Sequence, residues 1–531
     1  MSTPKIAARP AGARQRAERG SGFGPVLRAE WTKFRTVRGW IIPIILGALL
    51  MVAWGLLVAN GNNVTCQAGT GAACLPHYPL GPAGEPVTDS FYFVHQQLDG
   101  NGSMTVRVTS LTGRFSSGSV GSSSNPDAGT QPGLQPWSKA GIIVTASTKP
   151  GSAYAAMMVT GSHGVRMQYD YTHDTPGLTG AVSAASPRWL RLTRSGGTLT
   201  GYDSADGNHW TKVGTARLTG LPAIAQAGLF SASPDYQIVV SQSLGGGTTG
   251  SGSSVATAAF DHVSLSGTRA DAGWHGGVVG SSSGGLPGAP FGFRHTGSGF
   301  TVTGTGDIAP MTAVDLTTIG QFLTGVFVAL IAVVVVGAVF VTTEYRRGLI
   351  RVTLAASPRR GRVLASKAIV AGGISFVAGL AAAAIVVPVT LRVAHAKGAY
   401  VLPAGPLTEL RVIAGTATLL AVAAVLTVAV GTVLRRSAAA VTTGIVVIVL
   451  PYILGTSGLL PVGAEQWLLR FTPAAAFAIQ QSAPAYPQVT ASYTPTAGYF
   501  PLAPWAGLAV LCGYAALALV LAFYLLRRRD A

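Results

Sequence analysis

The chain has 531 residues, of which 48% are hydrophobic and only 11% charged, and its mean hydropathy is +0.42. About a quarter of the residues of a soluble globular protein are charged, so this composition excludes an ordinary soluble protein and indicates a membrane protein. The formal net charge of +18 would suit a nucleic-acid-binding protein, but the basic residues cluster beside apolar segments, which favours a topology signal and argues against nucleic acid as a partner.

The N-terminal region precedes the first apolar segment. Residues 1–22 are rich in Arg, Ala and Gly, and we expect a disordered cytoplasmic tail. Over residues 23–39, hydrophobic side chains recur at helical spacing, with Trp31 at the centre. Basic side chains intervene, and they include Lys33, Arg35 and Arg38. This pattern predicts an amphipathic helix lying in the membrane interface, and an ordinary cytoplasmic helix is the alternative.

Six apolar segments are long enough to cross the bilayer, because a helix that rises 1.5 Å per residue needs about 20 residues to span about 30 Å of hydrocarbon. They are residues 40–59, 323–341, 368–389, 412–434, 438–453 and 505–526. No small-residue cleavage site follows the first segment, which favours a retained signal anchor over a cleaved signal peptide.

Basic residues predict the orientation of these helices. They cluster before the first helix, between the second and third, and after the fourth and sixth. Since Lys and Arg beside membrane helices are retained in the cytoplasm, we expect a multi-pass protein of the cytoplasmic membrane with both termini cytoplasmic. Residues 342–367 then form a cytoplasmic loop, and residues 60–315 and 454–504 lie outside.

The long insertion of residues 60–315 has a different composition, in which Gly, Ser and Thr separate short alternating runs. This pattern predicts an all-β two-sheet sandwich over about 91–266, followed by a Gly/Ser linker over about 267–315. The fold class is therefore mixed: a six-helix α-helical transmembrane domain plus an inserted sandwich. Cys66 and Cys74 lie at the start of the insertion, where a disulfide and two free thiols are both possible.

The helices carry few groups that could do chemistry. The six predicted spans contain no ionisable residue, which argues against an ion-coupled carrier, because such a carrier needs titratable groups in its helices. No Gly-x-x-x-x-Gly-Lys-Ser/Thr phosphate-binding loop occurs in the chain. We therefore predict no catalytic residue, no metal site and no cofactor on this chain.

Segments around the helices resemble a known family. They are residues 28–38 before the first helix, residues 344–354 and 357–367 between the second and third, and residues 467–473 before the sixth. Together with the six-helix topology, they resemble bacterial type-2 ABC transporter permeases. The resemblance covers roughly the first 60 and the last 220 residues. It departs from the family in its first outer loop, which is normally short.

The resemblance implies a permease subunit of an exporter, which is not itself an enzyme. Such a subunit pairs with a second permease subunit, as a homodimer or a heterodimer, and docks a separate ATPase subunit that binds ATP and Mg²⁺. By this resemblance, the surface that contacts the ATPase comprises Glu344, Tyr345, Arg346, Arg347, Gly348, Arg351, Arg359 and Arg360. The alternative is that the arginines only set the topology or bind anionic lipid headgroups. The transported substrate is not indicated.

The insertion carries a resemblance of its own. Residues 137–144, 187–193, 202–210 and 260–264 resemble concanavalin A-like or laminin-G-like sandwiches, which often bind glycans. If side chains of this domain stack on sugars, the candidates are Trp137, Tyr154, Tyr169 and Tyr171. Aromatic residues of a sandwich are, however, more often core residues. The insertion has one glutamate, Glu85, which argues against glycoside hydrolysis by a carboxyl pair. A membrane-anchored protein that binds or senses cell-wall glycans is therefore the alternative function.

Overall fold

The computed structural model describes residues 23–61, 78–116, 130–241, 247–268, 273–281, 291–297, 299–346, 348–349, 359–491 and 493–528. The chain divides into two compact units. A helical unit comprises Met1–Pro76, Thr317–Ala483 and Tyr493–Ala531, and a β unit comprises His77–Leu316 and Pro484–Ser492. Cys66 and Cys74 lie outside the described residues, so their pairing stays a prediction.

Six helices of the helical unit are long and apolar enough to cross a membrane. They are α2 (Arg38–Gly61), α4 (Val326–Arg346), α5 (Arg360–Ala396), α6 (Pro406–Leu434), α7 (Ser437–Thr456, with a π-helical turn at Ile445–Val449) and α9 (Pro504–Arg528). Within the described residues, three shorter helices accompany them: α1 (Phe23–Thr36), α3 (Ile319–Phe322) and α8 (Val462–Phe471). Each long helix overlaps one predicted span, and α5 is the most extended beyond its prediction, by a turn or more at both ends.

Small residues let the long helices pack closely. A Cβ atom added to Gly337 of α4 would lie 2.3 Å from Thr427 Oγ1 of α6, so only glycine allows this approach. The Thr427 hydroxyl is fully buried and donates within its own helix to the carbonyl oxygen of Ala423, at 3.0 Å. Close packing of this kind stabilises membrane helices, because lipid offers no hydrophobic driving force for their association.

The segment after α7 corrects the prediction of a simple loop over residues 454–504. It contains α8 and a 3₁₀ helix, Pro473–Gln480, all eight residues of which are buried. This 3₁₀ helix packs against α9, α6 and α8. The Thr472 side chain caps its start by accepting a hydrogen bond from the Ala474 N–H, at 3.3 Å. A 3₁₀ run of eight residues is unusually long, since such helices rarely exceed four residues.

The β unit contains two large antiparallel sheets. The eight-stranded sheet is formed by β3 (Gly102–Ser116), β4 (Thr130–Pro132), β9 (Arg188–Ser195), β10 (Thr198–Ser204), β11 (Thr211–Arg217), β15 (Ser254–Ser266), β17 (Gly292–Thr296) and β18 (Gly299–Gly304). The seven-stranded sheet is formed by β2 (Phe91–Asp99), β5 (Lys139–Thr145), β6 (Tyr154–Thr160), β7 (Val165–Tyr169), β8 (His173–Pro176), β12 (Ile224–Ala232) and β16 (His275–Val279). Two further pairs are β1 (Val87–Asp89) with β19 (Ile308–Pro310), and β13 (Tyr236–Ser241) with β14 (Gly247–Gly252).

The seven-stranded sheet has an apolar core on each face. One core is shared with the eight-stranded sheet, and it includes Leu190 and Val106 from that sheet and Met157 from β6. The other core contains Tyr154 and Phe230 with side chains of β1 and β19. Every residue of β5 and β6 is therefore buried, which explains why the middle of both strands is continuously apolar rather than alternating.

Strands β16, β17, β18 and β19 correct the prediction of a linker over residues 267–315. Strand β18 pairs with β15 and continues the eight-stranded sheet, and β16 pairs with β2 at the edge of the seven-stranded sheet. A later stretch, Pro484–Ser492, also belongs to the β unit. Its buried Gln488 side chain donates to the carbonyl oxygen of Thr172, at 3.3 Å. The connection between α8 and α9 thus contributes to the β unit.

A buried carboxyl group lies beside the second core. Asp89 Oδ2 accepts hydrogen bonds from the Tyr171 hydroxyl, at 2.7 Å, and from the Gly151 N–H, at 2.8 Å. Burial nevertheless raises the pKa of Asp89 from its ordinary value of 3.8 to about 6, because desolvation outweighs the two hydrogen bonds. Asp89 therefore binds a proton more tightly in the folded protein than in the unfolded chain. The charged Asp89 side chain lowers the free energy of unfolding to its full extent above pH 6. This destabilisation disappears as the pH falls towards 4.

We expect Asp89→Asn to stabilise the β unit at pH 7.5 by up to about 3 kcal/mol, because an amide oxygen accepts both hydrogen bonds without a buried charge. The gain should shrink below pH 6 and vanish near pH 4. Hydrogen exchange of the β6 amides, measured in the full-length protein at matched pH, tests this. Asp99→Asn, at an exposed carboxylate of the same unit, is the control. A gain of equal size at pH 4 and pH 7.5 would contradict the assignment.

Candidate functional site

Four charged side chains from three helices form one cluster in the helical unit. Lys367 of α5 donates to Glu30 Oε2 of α1 and to Glu344 Oε1 of α4, each at 2.7 Å. Lys33 of α1 also donates to Glu344. Glu30, Glu344 and Lys367 are 2% to 4% exposed, whereas Lys33 is half-buried. We call these four residues the ion cluster.

The ion cluster is balanced in charge, with two carboxylates and two ammonium groups. A buried charge costs several kcal/mol of desolvation, which only well-placed opposite charges can offset. Lys367 meets this condition with two carboxylate partners. Glu344 Oε2, by contrast, is buried with no hydrogen-bond partner among the described residues. Removal of a single member should therefore destabilise the contact of α1 with α4 and α5.

An aromatic layer supports the ion cluster. The Phe340 ring packs edge-on against Phe34, at 5.2 Å between centroids, and against Trp40, at 5.0 Å. Lys367 Nζ lies 4.7 Å from the centroid of the Phe340 ring, a cation–π geometry. The same three rings thus join α1 and the start of α2 to α4. The position of α1 is therefore fixed both by the ion pairs and by these aromatic contacts.

The spacing of residues along each helix explains the site. On α1, Glu30 and Phe34 are four residues apart, so they share one face, and both are buried. Trp31 lies off this face and is 47% exposed. On α4, Phe340 and Glu344 are likewise four residues apart and buried. The amphipathic pattern predicted over residues 23–39 therefore has a polar group, Glu30, inside its buried face.

The predicted coupling residues occupy different environments. Arg346, Gly348 and Arg359 are exposed, whereas Arg360 donates to the carbonyl oxygen of Leu526. The half-buried Tyr345 ring lies 5.2 Å from the Arg435 guanidinium. Arg35 and Arg38, predicted on the interfacial segment, are exposed. Arg347 and Arg351 lie outside the described residues.

Glu344 corrects the expectation that it contributes to an exposed coupling surface. It is 2% exposed and paired with two lysines, so an outside partner has no direct access to its carboxylate. Sequence reasoning also missed Glu30 and Lys367 as its companions. A signal was present, since Glu344 and Lys367 carry opposite charges just beyond the predicted ends of two successive spans.

The candidate sugar-binding rings of the β unit are mostly inside it. Trp137, Tyr154 and Tyr171 are 6%, 2% and 1% exposed, which agrees with the expectation that aromatic residues of a sandwich are more often core residues. Trp137 already stacks on His163, with 3.9 Å between ring centroids. Tyr169 is half-buried and stacks on His173, at 4.2 Å. Within the described residues, no group of three or more His, Cys, Asp or Glu side chains could hold a metal ion.

Comparisons with known proteins point to one family. The family model described as ABC-2 family transporter protein matches residues 108–531. No curated protein matches the chain. A protein of unknown function from Saccharomyces cerevisiae is 17% identical, with a TM-score of 0.21 over 36% of this chain and 80% of its own.

Two other solved structures resemble part of the chain at similarly low levels. Scytalido-glutamic peptidase with a peptide-based transition-state analogue is 10% identical, with a TM-score of 0.23 over 40% of this chain and 98% of its own. The GH43 protein BlXynB from Bacillus licheniformis is 15% identical, with a TM-score of 0.17 over 25% of this chain and 24% of its own. These likenesses are too weak to bear on fold or function.

We expect substitutions within the ion cluster to have non-additive effects on the free energy of unfolding. Lys367→Met leaves two buried carboxylates with Lys33 alone, so we expect the free energy of unfolding to fall by about 3 kcal/mol or more. Adding Glu344→Gln restores the charge balance and should recover 1–3 kcal/mol, roughly the coupling energy of neighbouring groups. Reversible unfolding of the full-length protein in mixed micelles measures both.

Lys397→Met is the matched control, because Lys397 is exposed at the opposite end of α5. It should change the free energy of unfolding by less than about 0.5 kcal/mol. If the two cluster substitutions destabilise the protein additively, the proposed coupling of Lys367 to Glu344 is wrong.

Proposed function

The chain belongs to the ABC-2 transporter family, and from this premise we propose that it is the permease subunit of an ABC exporter in the cytoplasmic membrane. It is a multi-pass membrane protein and a transport component. The proposal adds the direction of transport, a separate ATPase subunit and a second permease subunit. It also adds a topology with both termini and the ion cluster on the cytoplasmic side and the β unit outside.

Several observations support this topology. Basic residues follow α4, α6 and α9 and precede α2, and with six spans all of these positions fall on one side. The exposed Trp31 of α1 and its basic neighbours Arg28, Arg35 and Arg38 suit a membrane interface with anionic headgroups. The bilayer is thus a partner of α1 as well as of the six long helices.

ATP and Mg²⁺ belong on another chain under this proposal, since the sequence has no phosphate-binding loop of the Gly-x-x-x-x-Gly-Lys-Ser/Thr type. This chain's share of the mechanism is to receive a displacement and pass it to its membrane helices. The exposed Arg346 and Arg359, at the facing ends of α4 and α5, would contact the ATPase.

The ion cluster carries the proposal. It bonds α1 to both α4 and α5 through buried ion pairs, so the three elements cannot separate without exposing or stranding a charge. A push by the ATPase on α1, or on the segment between α4 and α5, therefore acts on two membrane helices together. This is the physical requirement for converting ATP hydrolysis into helix movement.

The β unit supports a two-sheet sandwich of the concanavalin A-like type, in that its two large sheets share one core. The alternative function, a membrane-anchored glycan-binding or sensing protein, has no comparable support. Three of its four candidate rings are buried within the unit, so they present no free face to a sugar. Transport therefore remains the function that the observations support best.

Co-expression with a candidate ABC ATPase tests the proposal. We expect the two proteins to co-purify and ATP hydrolysis to rise when the complex is placed in lipid. Arg346→Glu or Arg359→Glu should weaken the association about tenfold, since each reverses an exposed charge at the proposed contact. Arg392→Glu, at an exposed position near the other end of α5, should leave it unchanged.

An ATPase that fails to associate with the wild-type chain would refute the permease proposal. If the complex forms but Arg346→Glu, Arg359→Glu and Arg392→Glu all leave it intact, the arginines serve topology or lipid binding, and the contact lies elsewhere.

A further inference from the structure

A cavity of about 380 Å³ lies within the helical unit, far along α4 from the ion cluster. The start of α4, the end of α7, the end of the buried 3₁₀ helix and residues 495–500 surround it. Its size falls in the range of small-molecule sites, roughly 300–1,000 Å³. Its lining includes the side chains of Phe327, Tyr452, Thr456 and Gln480.

None of the described residues that line the cavity carries an ionisable acid, base or imidazole group. Most of the lining surface is apolar, although nine of the sixteen lining residues carry a hydroxyl or a side-chain amide group. Tyr452 is 8% exposed, and its hydroxyl has no hydrogen-bond partner among the described residues. The hydroxyl is not fully enclosed by protein, so a ligand in the cavity can accept its hydrogen bond and is favoured over a purely apolar occupant.

Neighbouring contacts hold the walls in place. The Tyr452 ring stacks on Phe477 of the 3₁₀ helix, with 3.7 Å between centroids, and the Phe327 ring packs edge-on against Trp54 of α2. The Gln480 side-chain amide donates to Thr416 Oγ1 of α6, at 3.1 Å. Its side-chain oxygen has no partner among the described residues and remains able to accept from a ligand. The site is therefore formed before any ligand enters.

We propose that this cavity binds an uncharged amphipathic molecule, which has an apolar body and a hydroxyl or carbonyl group that pairs with Tyr452 and Gln480. A charged ligand would lose its hydration without meeting an opposite charge. The cavity thus assigns a substrate class, neutral amphipaths, to the transporter. That role as a substrate site rests on the proposed function, whereas the binding itself does not.

Photolabelling of the full-length chain in nanodiscs, without ATPase or nucleotide, tests the binding. The probes are three amphipaths with the same diazirine-bearing alkyl chain: a monoacylglycerol, an alkyl sulfate and an alkyltrimethylammonium. We expect the monoacylglycerol to label peptides that contain Tyr452 or Gln480 at least tenfold more than either charged probe does.

Variants separate the cavity from general lipid contact. Thr456→Trp fills the space and should reduce labelling at least tenfold; the Thr456 hydroxyl bonds only within its own helix, to the Tyr452 carbonyl. Tyr452→Phe keeps the stacked ring but removes the hydroxyl, and should reduce labelling about threefold. Leu517→Trp, at a position of α9 that is 71% exposed, is the control and should change nothing.

Equal labelling by the charged and neutral probes would overturn the proposal, as would full labelling of Thr456→Trp by the monoacylglycerol. The two proposals fail separately. If the ATPase couples to the chain but the cavity is not labelled, only the cavity assignment is wrong. If the cavity is labelled but no ATPase associates, the permease proposal fails and the binding site remains.

Discussion

The Lys367 ammonium group, shared between the carboxylates of Glu30 and Glu344, is the contact on which the arrangement of α1 and of the adjoining ends of α4 and α5 depends. An ammonium group that is this deeply buried loses its hydration, and here the two carboxylates replace it. Each carboxylate comes from a different element, so the position of Lys367 defines where α1 and the end of α4 must lie. Phe34, Trp40 and Phe340 pack against one another beside these charges and add apolar contacts between the same elements.

A second constraint acts on the irregular backbone of the helical unit. Hydrocarbon offers no water to unpaired N–H and C=O groups, so non-helical backbone is tolerated there only when it is covered by protein. The 3₁₀ helix Pro473–Gln480 follows this rule, because all eight residues are buried against α6, α8 and α9. Gln480 adds a hydrogen bond to Thr416 at its end. The end of this irregular segment also provides part of the cavity wall, together with the start of α4 and the end of α7.

The long apolar runs were predictable from the sequence, but the ends of the helices were not. A hydropathy reading stops at the first charge, and so it placed the third span at residues 368–389 and left Lys367 outside it. The helix in fact begins at Arg360, because Lys367 finds its carboxylate partners inside the protein. Pairing between distant residues cannot be derived from local composition. The same limit applies to Glu344, whose charge indicated an exposed loop.

In the β unit, too, some features could be predicted from the local sequence and others could not. Strands occur along the predicted range of about 91–266, since alternating or continuously apolar runs identify them locally. Strands β16 and β17 were missed, because their glycines and neighbouring Gly/Ser stretches resemble a linker and only pairing with β2 and β18 makes them strands. Burial of Tyr154 and Tyr171 agrees with the general expectation for aromatic residues of a sandwich, but the second core that buries them was not predicted, since it depends on β1 and β19.

Helix α4 connects the two proposed sites. Phe327, in its first turn, lines the cavity, and Glu344, in its last turn, belongs to the ion cluster. Seventeen residues of helix separate them, about 25 Å at 1.5 Å per residue. Gly337 lies between them and keeps α4 in close contact with α6, so the helix can shift along that contact but cannot easily bend away. Coupling between distant sites requires one element whose position both sites bias. If the ATPase moves α1, the ion cluster moves α4, and the cavity at the other end of α4 must change shape with it.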